Sequence, residues 1–256
     1  VKRAALARGL TVLEPEKLRP AIETVRALGA DAFVVASYGK IVPQAMLDLV
    51  PVAFNVHPSL LPLYRGATPL QSAIRDGRAE TGVTIIAMDA GMDTGDVLVQ
   101  ERTPIGERET YGELHDRLAL QGAQLVVEAL DRYANGTLTR RTQGEIAREL
   151  GISDEEIAAT TTRPLRKDDL AIDPDASPRC IVDHARSLAP SPAARAHVDG
   201  ETVKVLDARI ASPDESDGTT TSDDGYVWGG VVLLRVVPPN RAPMSAASWR
   251  RSAIRA

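Results

Sequence analysis

Short apolar runs alternate with amphipathic stretches through the first half of this chain. DAFVVAS (31–37), VAFNVH (52–57), GVTIIAM (82–88) and VLVQER (97–102) are each a few residues long and rich in Val, Ile and Phe. Continuous apolar runs of that length predict strands covered on both faces. The intervening segments carry helix signals. Pro43 can open a helix through MLDLV, Thr68 and Pro69 read as an N-cap and first helical residue, and Gly77 reads as a stop. Thr110 and Glu113 have capping-box spacing, and Leu114, Leu118, Leu125, Val126, Ala129 and Leu130 then recur on one helical face. The opening VKRAALARGL reads as a further helix. Strands alternating with helices predict an α/β sheet domain.

The pattern changes near residue 133. Residues 135–168 are polar, carry Arg140, Arg141, Arg163, Arg166 and Lys167, and read as a linker with one helix over Asp154–Ala159. Beyond it, Ala194–Val198, Thr202–Ala208 and Gly229–Val237 predict the strands of a small β-domain. The stretch 212–225, rich in Asp, Ser, Thr and Gly, is expected to be a mobile loop. The expected division is therefore a sheet domain at 1–134, a linker at 135–168 and a β-domain at 169–256.

Composition narrows the function classes. An apolar fraction of 43% with 25% charged residues permits a packed core, and aromatics at 4% leave that core to aliphatic side chains. The net charge of -5 gives no global attraction to nucleic acid, so any RNA contact needs a local basic patch. Residues 235–256 hold Arg235, Arg241, Arg250, Arg251 and Arg255 without an acid, one candidate for such a patch. Cys180 stands alone, which rules out an intrachain disulfide. No apolar run approaches the ~18 residues that cross a bilayer, and the N-terminal segment does not read as a secretory signal. A cytoplasmic location without membrane attachment is the expectation.

Candidate chemistry concentrates in two places. In FNVHPSLLPLYRGATPLQ, Asn55 and His57 sit two apart at a strand end, so their side chains leave on one face. Ligands bind outside strand ends in open α/β sheets, and a polar pair there is costly in a core but natural in a cleft. A lone histidine would more simply bond a backbone carbonyl; the pair before a proline-stiffened loop favours function. In MDAGMDTGD, Gly91 and Gly95 permit a sharp loop with three acids, Asp89, Asp93 and Asp96. A solvated acidic turn is the plain reading of that loop, and it lacks the spacing and closing Glu of an EF-hand. There is no phosphate loop, no dinucleotide fingerprint and no nucleophile elbow, and His115, His184, His197 and Cys180 make no zinc pattern. No metal site is expected.

The two motifs together, FNVHPSLLPLYRGATPLQ and ETGVTIIAMDAGMDTGDVL, resemble the 10-formyltetrahydrofolate-dependent formyltransferase family, and within it the methionyl-tRNA formyltransferases. The likeness extends through VVASYGKIVPQAMLDL and TYGELHDRLALQGAQLV and returns at RAPMSAASW. It implies a Rossmann-like, mostly parallel sheet domain followed by a small OB-like β-barrel. It places Asn55, His57 and Asp93 at the catalytic positions. Ser59, Leu60, Leu61 and Pro62, with the loop Gly39, Lys40, Ile41 and Val42, take folate-binding positions. The implied donor is 10-formyltetrahydrofolate and the implied acceptor is initiator methionyl-tRNA, for translation initiation, on a protein that is a monomer when full length. For the chemistry, Asn55 can donate to an oxyanion, a protonated His57 can stabilise the same charge, and Asp93 can either hold His57 cationic or accept the amine proton through water. Relatives carry a strand and a glycine-containing loop that would lie before residue 1, so this chain is expected to lack the first part of its sheet. SLAPSPAARA lacks the Trp-containing turn expected in the second domain, and IARELGISDEEIA adds a helix-like stretch to the linker. The same three site residues also serve enzymes that formylate glycinamide ribonucleotide or a nucleotide-linked amino sugar, and a folate- or RNA-binding protein without catalysis is the reading from another class.

Overall fold

The computed structural model describes residues 1–253. Arg255 of the basic C-terminal run lies outside the described residues. The chain opens with two short helices, α1 (Lys2–Leu6) and α2 (Ile22–Arg26), and enters a four-stranded sheet: β1 (Phe33–Ala36), α3 (Gln44–Leu47), β2 (Ala53–His57), α4 (Pro69–Arg75), β3 (Glu80–Ala87) and β4 (Val97–Pro104). The strands lie in the order β1-β2-β3-β4. Only β1 and β2 pair in parallel; β3 runs antiparallel to both neighbours. This sheet is thus mixed where a mostly parallel one was expected. The short loop 88–96 returns the chain from β3 directly beside itself, which forces an antiparallel pair.

All of β3 beyond Glu80 is buried, as its apolar run required. One face of the sheet is closed by α5 (Tyr111–Ala134), whose first turn is fixed by the reciprocal bonds of Thr110 and Glu113. Leu114, Leu118, Leu125 and Ala129 are buried along its inner side. Gly122 lies over the sheet, where a Cβ would come within 2.8 Å of the Val56 methyl, so close approach of helix and strand needs a glycine there. Phe54 and Val56 therefore face α5, with Phe54 edge-on to Tyr133 at 5.9 Å. Alternation along the strand then turns Asn55 and His57 to the other side. On that side Ala53 packs against Leu47 and Val50 of the α3 region. Among the described residues β1 is a sheet edge, and its Val34 is 46% exposed.

The polar stretch after α5 holds two helices rather than the single one expected, α6 (Gln143–Leu150) and α7 (Asp154–Thr160). Thr142 and Glu145 form a second capping box, and Ser153 caps α7 through the Glu156 amide. The C-terminal unit starts with α8 (Pro178–Leu188), which the strand pattern had not predicted. It packs with β5 (Ala194–Val198), β6 (Glu201–Ile210), β7 (Tyr226–Trp228), β8 (Val231–Val237), β9 (Met244–Ser245) and α9 (Ala246–Ala253). The strands form one antiparallel sheet, β5-β6-β8-β7, with β9 added to β8. Ile181, Leu188, Val198, Val203, Leu233 and Trp249 fill its core. The 212–225 loop is tied down: the Arg209 guanidinium bonds both Glu215 and Asp223 and holds the Glu215 carboxyl at a pKa of about 2.

Candidate active site

Three polar side chains far apart in sequence meet at the end of β2. Asn55 donates from Nδ2 to Asp93 Oδ1 at 3.1 Å, and His57 Nδ1 stands 3.6 Å from Asp93 Oδ2. The second carboxylate oxygen of Asp93 also accepts the Gly66 amide at 2.9 Å. Asp93 reaches this point because its own backbone is left-handed, at φ 55°, an uncommon conformation for a residue other than glycine. Of the three acids in its loop, only Asp93 points at His57. Asp89 closes the loop on itself through Gly91 and Thr94, and the backbone carbonyl of Asp96 accepts from Ala87.

His57 is 3% exposed, and its ring is oriented from the other side as well. Its Nε2 lies 2.9 Å from the Tyr64 carbonyl, a group that can only accept, so Nε2 carries the proton. Tyr64 is itself left-handed, at φ 59°, and its hydroxyl is locked between Asp76 and Arg78. Burial pushes the His57 pKa below the ordinary histidine value, against the Asp93 charge and the Tyr64 carbonyl, which both pull it up. The balance favours a neutral imidazole with its Nδ1 lone pair toward Asp93. Desolvation of the ring thus opposes the cationic form that the neighbouring carboxylate favours, which leaves proton acceptance as the other role open to the Asp93–His57 pair.

The loop after β2 is wedged into the fold. Ser59 and Leu61 are buried, and Ser59 Oγ donates to Leu63. Thr84 donates its hydroxyl to the Ser59 carbonyl at 2.6 Å, and Gln100 bonds both Thr84 and the Leu61 carbonyl. Pro62 is likewise buried and Leu60 half-buried, so this segment shapes a wall more than it offers free polar groups. Gly39, Lys40, Ile41 and Val42 leave the sheet at the same end as the triad, because Ala36 pairs in parallel register with Val56. Ile41 is 92% exposed there.

Several residues that frame the site had been passed over. Gln143 is 4% exposed and donates to the carbonyls of Asp93 and Gly95 at 2.7 and 2.9 Å. Thr160 and Thr162 bond the backbone of Tyr64, Arg65 and Thr68. The capping box at Thr142 was a readable signal for α6; nothing local marks these long-range contacts. Two clefts, of about 490 Å³ between β4, α5 and α6 and about 170 Å³ between α4 and residues 159–169, are lined by none of the three converging residues. Among the described residues no three His, Cys, Asp or Glu side chains cluster to hold a metal ion, and no helix is long and apolar enough to cross a membrane.

Residues 10–130 match the Formyl transferase family and residues 164–253 its C-terminal domain. A methionyl-tRNA formyltransferase of Chloroflexus aggregans is 40% identical over 97% of this chain and 81% of its own length. The chain belongs to the formyl transferase family. It is an enzyme of formyl transfer, and the family's formyl donor is 10-formyltetrahydrofolate. Solved formyl transferase folds superpose on this one at low identity. HypX from Aquifex aeolicus has a TM-score of 0.72 at 16% identity, over 96% of this chain and 43% of HypX. An N-formyltransferase from Helicobacter canadensis, in complex with folinic acid and dTDP-3-aminofucose, has a TM-score of 0.65 at 18% identity, over 90% of this formyl transferase and 81% of its own chain. These likenesses carry the fold.

Proposed function

We propose that this formyl transferase moves the formyl group of 10-formyltetrahydrofolate onto the α-amino group of methionine on initiator tRNA, in the cytoplasm, with Asn55, His57 and Asp93 as its catalytic residues. The observation that carries the reading is the convergence of these three side chains at the open end of β2, in a chain 40% identical to a methionyl-tRNA formyltransferase. The loop Gly39, Lys40, Ile41 and Val42, exposed up to Ile41 with Val42 half-buried, fits a folate: it offers backbone groups and an apolar side chain at the same sheet end as the triad. Ser59, Leu60, Leu61 and Pro62, buried or half-buried directly after β2, form a wall beside the triad. The folate supplies the formyl group as an activated amide.

The geometry supports a division of labour. Asn55 uses one amide hydrogen on Asp93 and keeps another for the formyl oxygen as negative charge grows there. A preorganised donor of that kind is worth about 3–4 kcal/mol of barrier. As the acceptor nitrogen bonds to the formyl carbon, its proton passes to the Asp93–His57 pair. The imidazole is neutral and able to take it at Nδ1, and the carboxylate then faces the imidazolium. The proton leaves with the folate nitrogen when its bond to the formyl carbon breaks. General acid–base catalysis of this type contributes about 10²–10⁴-fold.

The test is incubation with 10-formyltetrahydrofolate and, separately, methionyl-initiator tRNA, glycinamide ribonucleotide and a nucleotide-linked amino sugar. Formyl transfer is expected to the tRNA. In His57→Ala or Asp93→Asn, turnover should fall at least about 100-fold with folate binding kept. Transfer only to a small amine overturns the acceptor, and near-normal turnover in both variants overturns the site.

A further inference from the structure

We propose that Gln143, the first residue of α6, is a positioning residue for the Asp93 carboxylate, resting on the site assignment above. Asp93 sits left-handed at φ 55° in the loop between β3 and β4, a conformation that a side-chain restraint favours. Gln143 supplies the restraint from the segment that follows the sheet domain. Its Nε2 donates to the Asp93 carbonyl at 2.7 Å and to the Gly95 carbonyl at 2.9 Å, bracketing the strained residue. Its Oε1 accepts from Arg65 Nε at 2.9 Å and Nη2 at 2.7 Å. Every hydrogen-bonding valence of the amide is used, and the reversed amide would aim its oxygen at two carbonyl oxygens, so the orientation is fixed.

Arg65 lies on the other wall of the site, one residue after Tyr64, whose carbonyl orients His57, and one before Gly66, whose amide binds Asp93. A single buried amide therefore joins the loop that carries Asp93 to the loop that aims His57. The Thr142–Glu145 capping box sets where the helix starts and so where the amide stands. If the amide is removed, Asp93 keeps its bonds to Asn55 and Gly66 but its backbone is free to leave the left-handed region, and the carboxylate drifts relative to the imidazole. A misplacement of about 1 Å can cost on the order of 100-fold in rate.

Gln143→Met keeps the volume and removes the hydrogen bonds. Turnover, measured well below the melting transition, is expected to drop by roughly 10- to 100-fold with the KM values for donor and acceptor little changed, alongside a lower melting temperature from the lost hydrogen bonds. The His57 imidazole, followed by its ring nitrogen resonances, should titrate at lower pH, because the Asp93 charge is the larger of the two effects that oppose burial. Gln143→Glu, which keeps an acceptor for Arg65 but faces two carbonyls with a carboxylate, should be impaired at least as much. Gln143→Asn, with the same amide on a shorter stem, should fall between Met and the parent, and serves if the Met variant does not fold. A Met variant with parental turnover, or a His57 midpoint unchanged or raised, overturns the role. The titration reads the positioning even if the parent transfers formyl to none of the acceptors tested, so failure of this inference and failure of the functional reading are separable.

Discussion

At the scale of single residues, the site is organised around one buried imidazole. His57 is oriented by a carbonyl at Nε2 and faces a carboxylate at Nδ1, and both partners come from left-handed residues, Tyr64 and Asp93. Strain of about 1–3 kcal/mol at each such position persists only where the surroundings hold it, and here the Tyr64 hydroxyl and the Gln143 amide do so. The cost is visible in pH. In the unfolded chain His57 takes up a proton near pH 6.5, whereas burial depresses its pKa in the fold. Between those two values the unfolded state holds more protons, so stability is intact above the unfolded value and declines as pH falls through it. His184, lowered by burial and then by the Arg75 charge, adds to the decline with the same sign. The melting temperature should fall from about pH 7.5 to about pH 5.5, and His57→Asn should flatten part of that slope. An identical slope in the variant would place the effect on other groups. Asn55 and His57 were legible because period-two alternation at a strand end puts them on one face; the protonation of the ring was not, because it depends on how deeply the fold buries it.

At the scale of elements, the helices and strands followed local chemistry closely, whereas the packing of the segment after α5 did not. The spacing of Thr110 and Glu113 and the leucines after them predicted α5, and β5 falls on Ala194–Val198 as its pattern required. The 135–168 stretch read as a linker because it is polar, yet α6 and the chain after α7 are packed against the site. Thr162 accepts from the Thr68 amide and donates to the Arg65 carbonyl, and the Thr68 hydroxyl goes to the Arg163 carbonyl instead of capping α4. These bonds join residues more than ninety positions apart, which no local pattern encodes. Gly66 is the point where the two segments touch. It sits at φ 102°, and a Cβ there would collide with the Thr162 carbonyl. Gly66→Ala should therefore destabilise the protein by more than about 1 kcal/mol and, since the Gly66 amide binds Asp93, depress turnover beyond what the stability loss explains. Unfolding in denaturant compared with kcat well below the transition checks it; a variant as stable and active as the parent would show that the 160–163 segment is not seated on the site loop.

Over the whole molecule, the two halves are joined by charge buried at their seam, and charge also tests the proposed tRNA acceptor. Asp183 and Arg186 of α8 are almost fully buried and paired at 2.7 Å, and Arg186 also donates to the Gly106 and Glu109 carbonyls before α5. That arrangement fixes the C-terminal sheet relative to the site. On that sheet the basic run at 235–256 is narrower than its sequence implies. Arg250 stacks on Tyr226 and Trp249 and pairs with Asp199, and Arg251 pairs with Asp224. Those two guanidiniums are paired with acids, which leaves Arg235 and Arg241 as the exposed cations of the run with no acidic partner among the described residues. With the net charge at -5, the protein as a whole repels a nucleic acid, so the local contribution of each such arginine weighs heavily. Reversing both, in Arg235→Glu with Arg241→Glu, should weaken binding of methionyl-initiator tRNA and reduce the salt dependence of log K by about one for each phosphate no longer neutralised, while transfer to a small amine acceptor at saturating folate is untouched. Arg250→Ala should instead lower the melting temperature, because it strips a stacked cation from between two rings and leaves Asp199 with only its bond from the Tyr226 hydroxyl. Equal salt slopes for the double reversal and the parent would move the tRNA off this face and onto the exposed linker residues Arg140, Arg166 and Lys167.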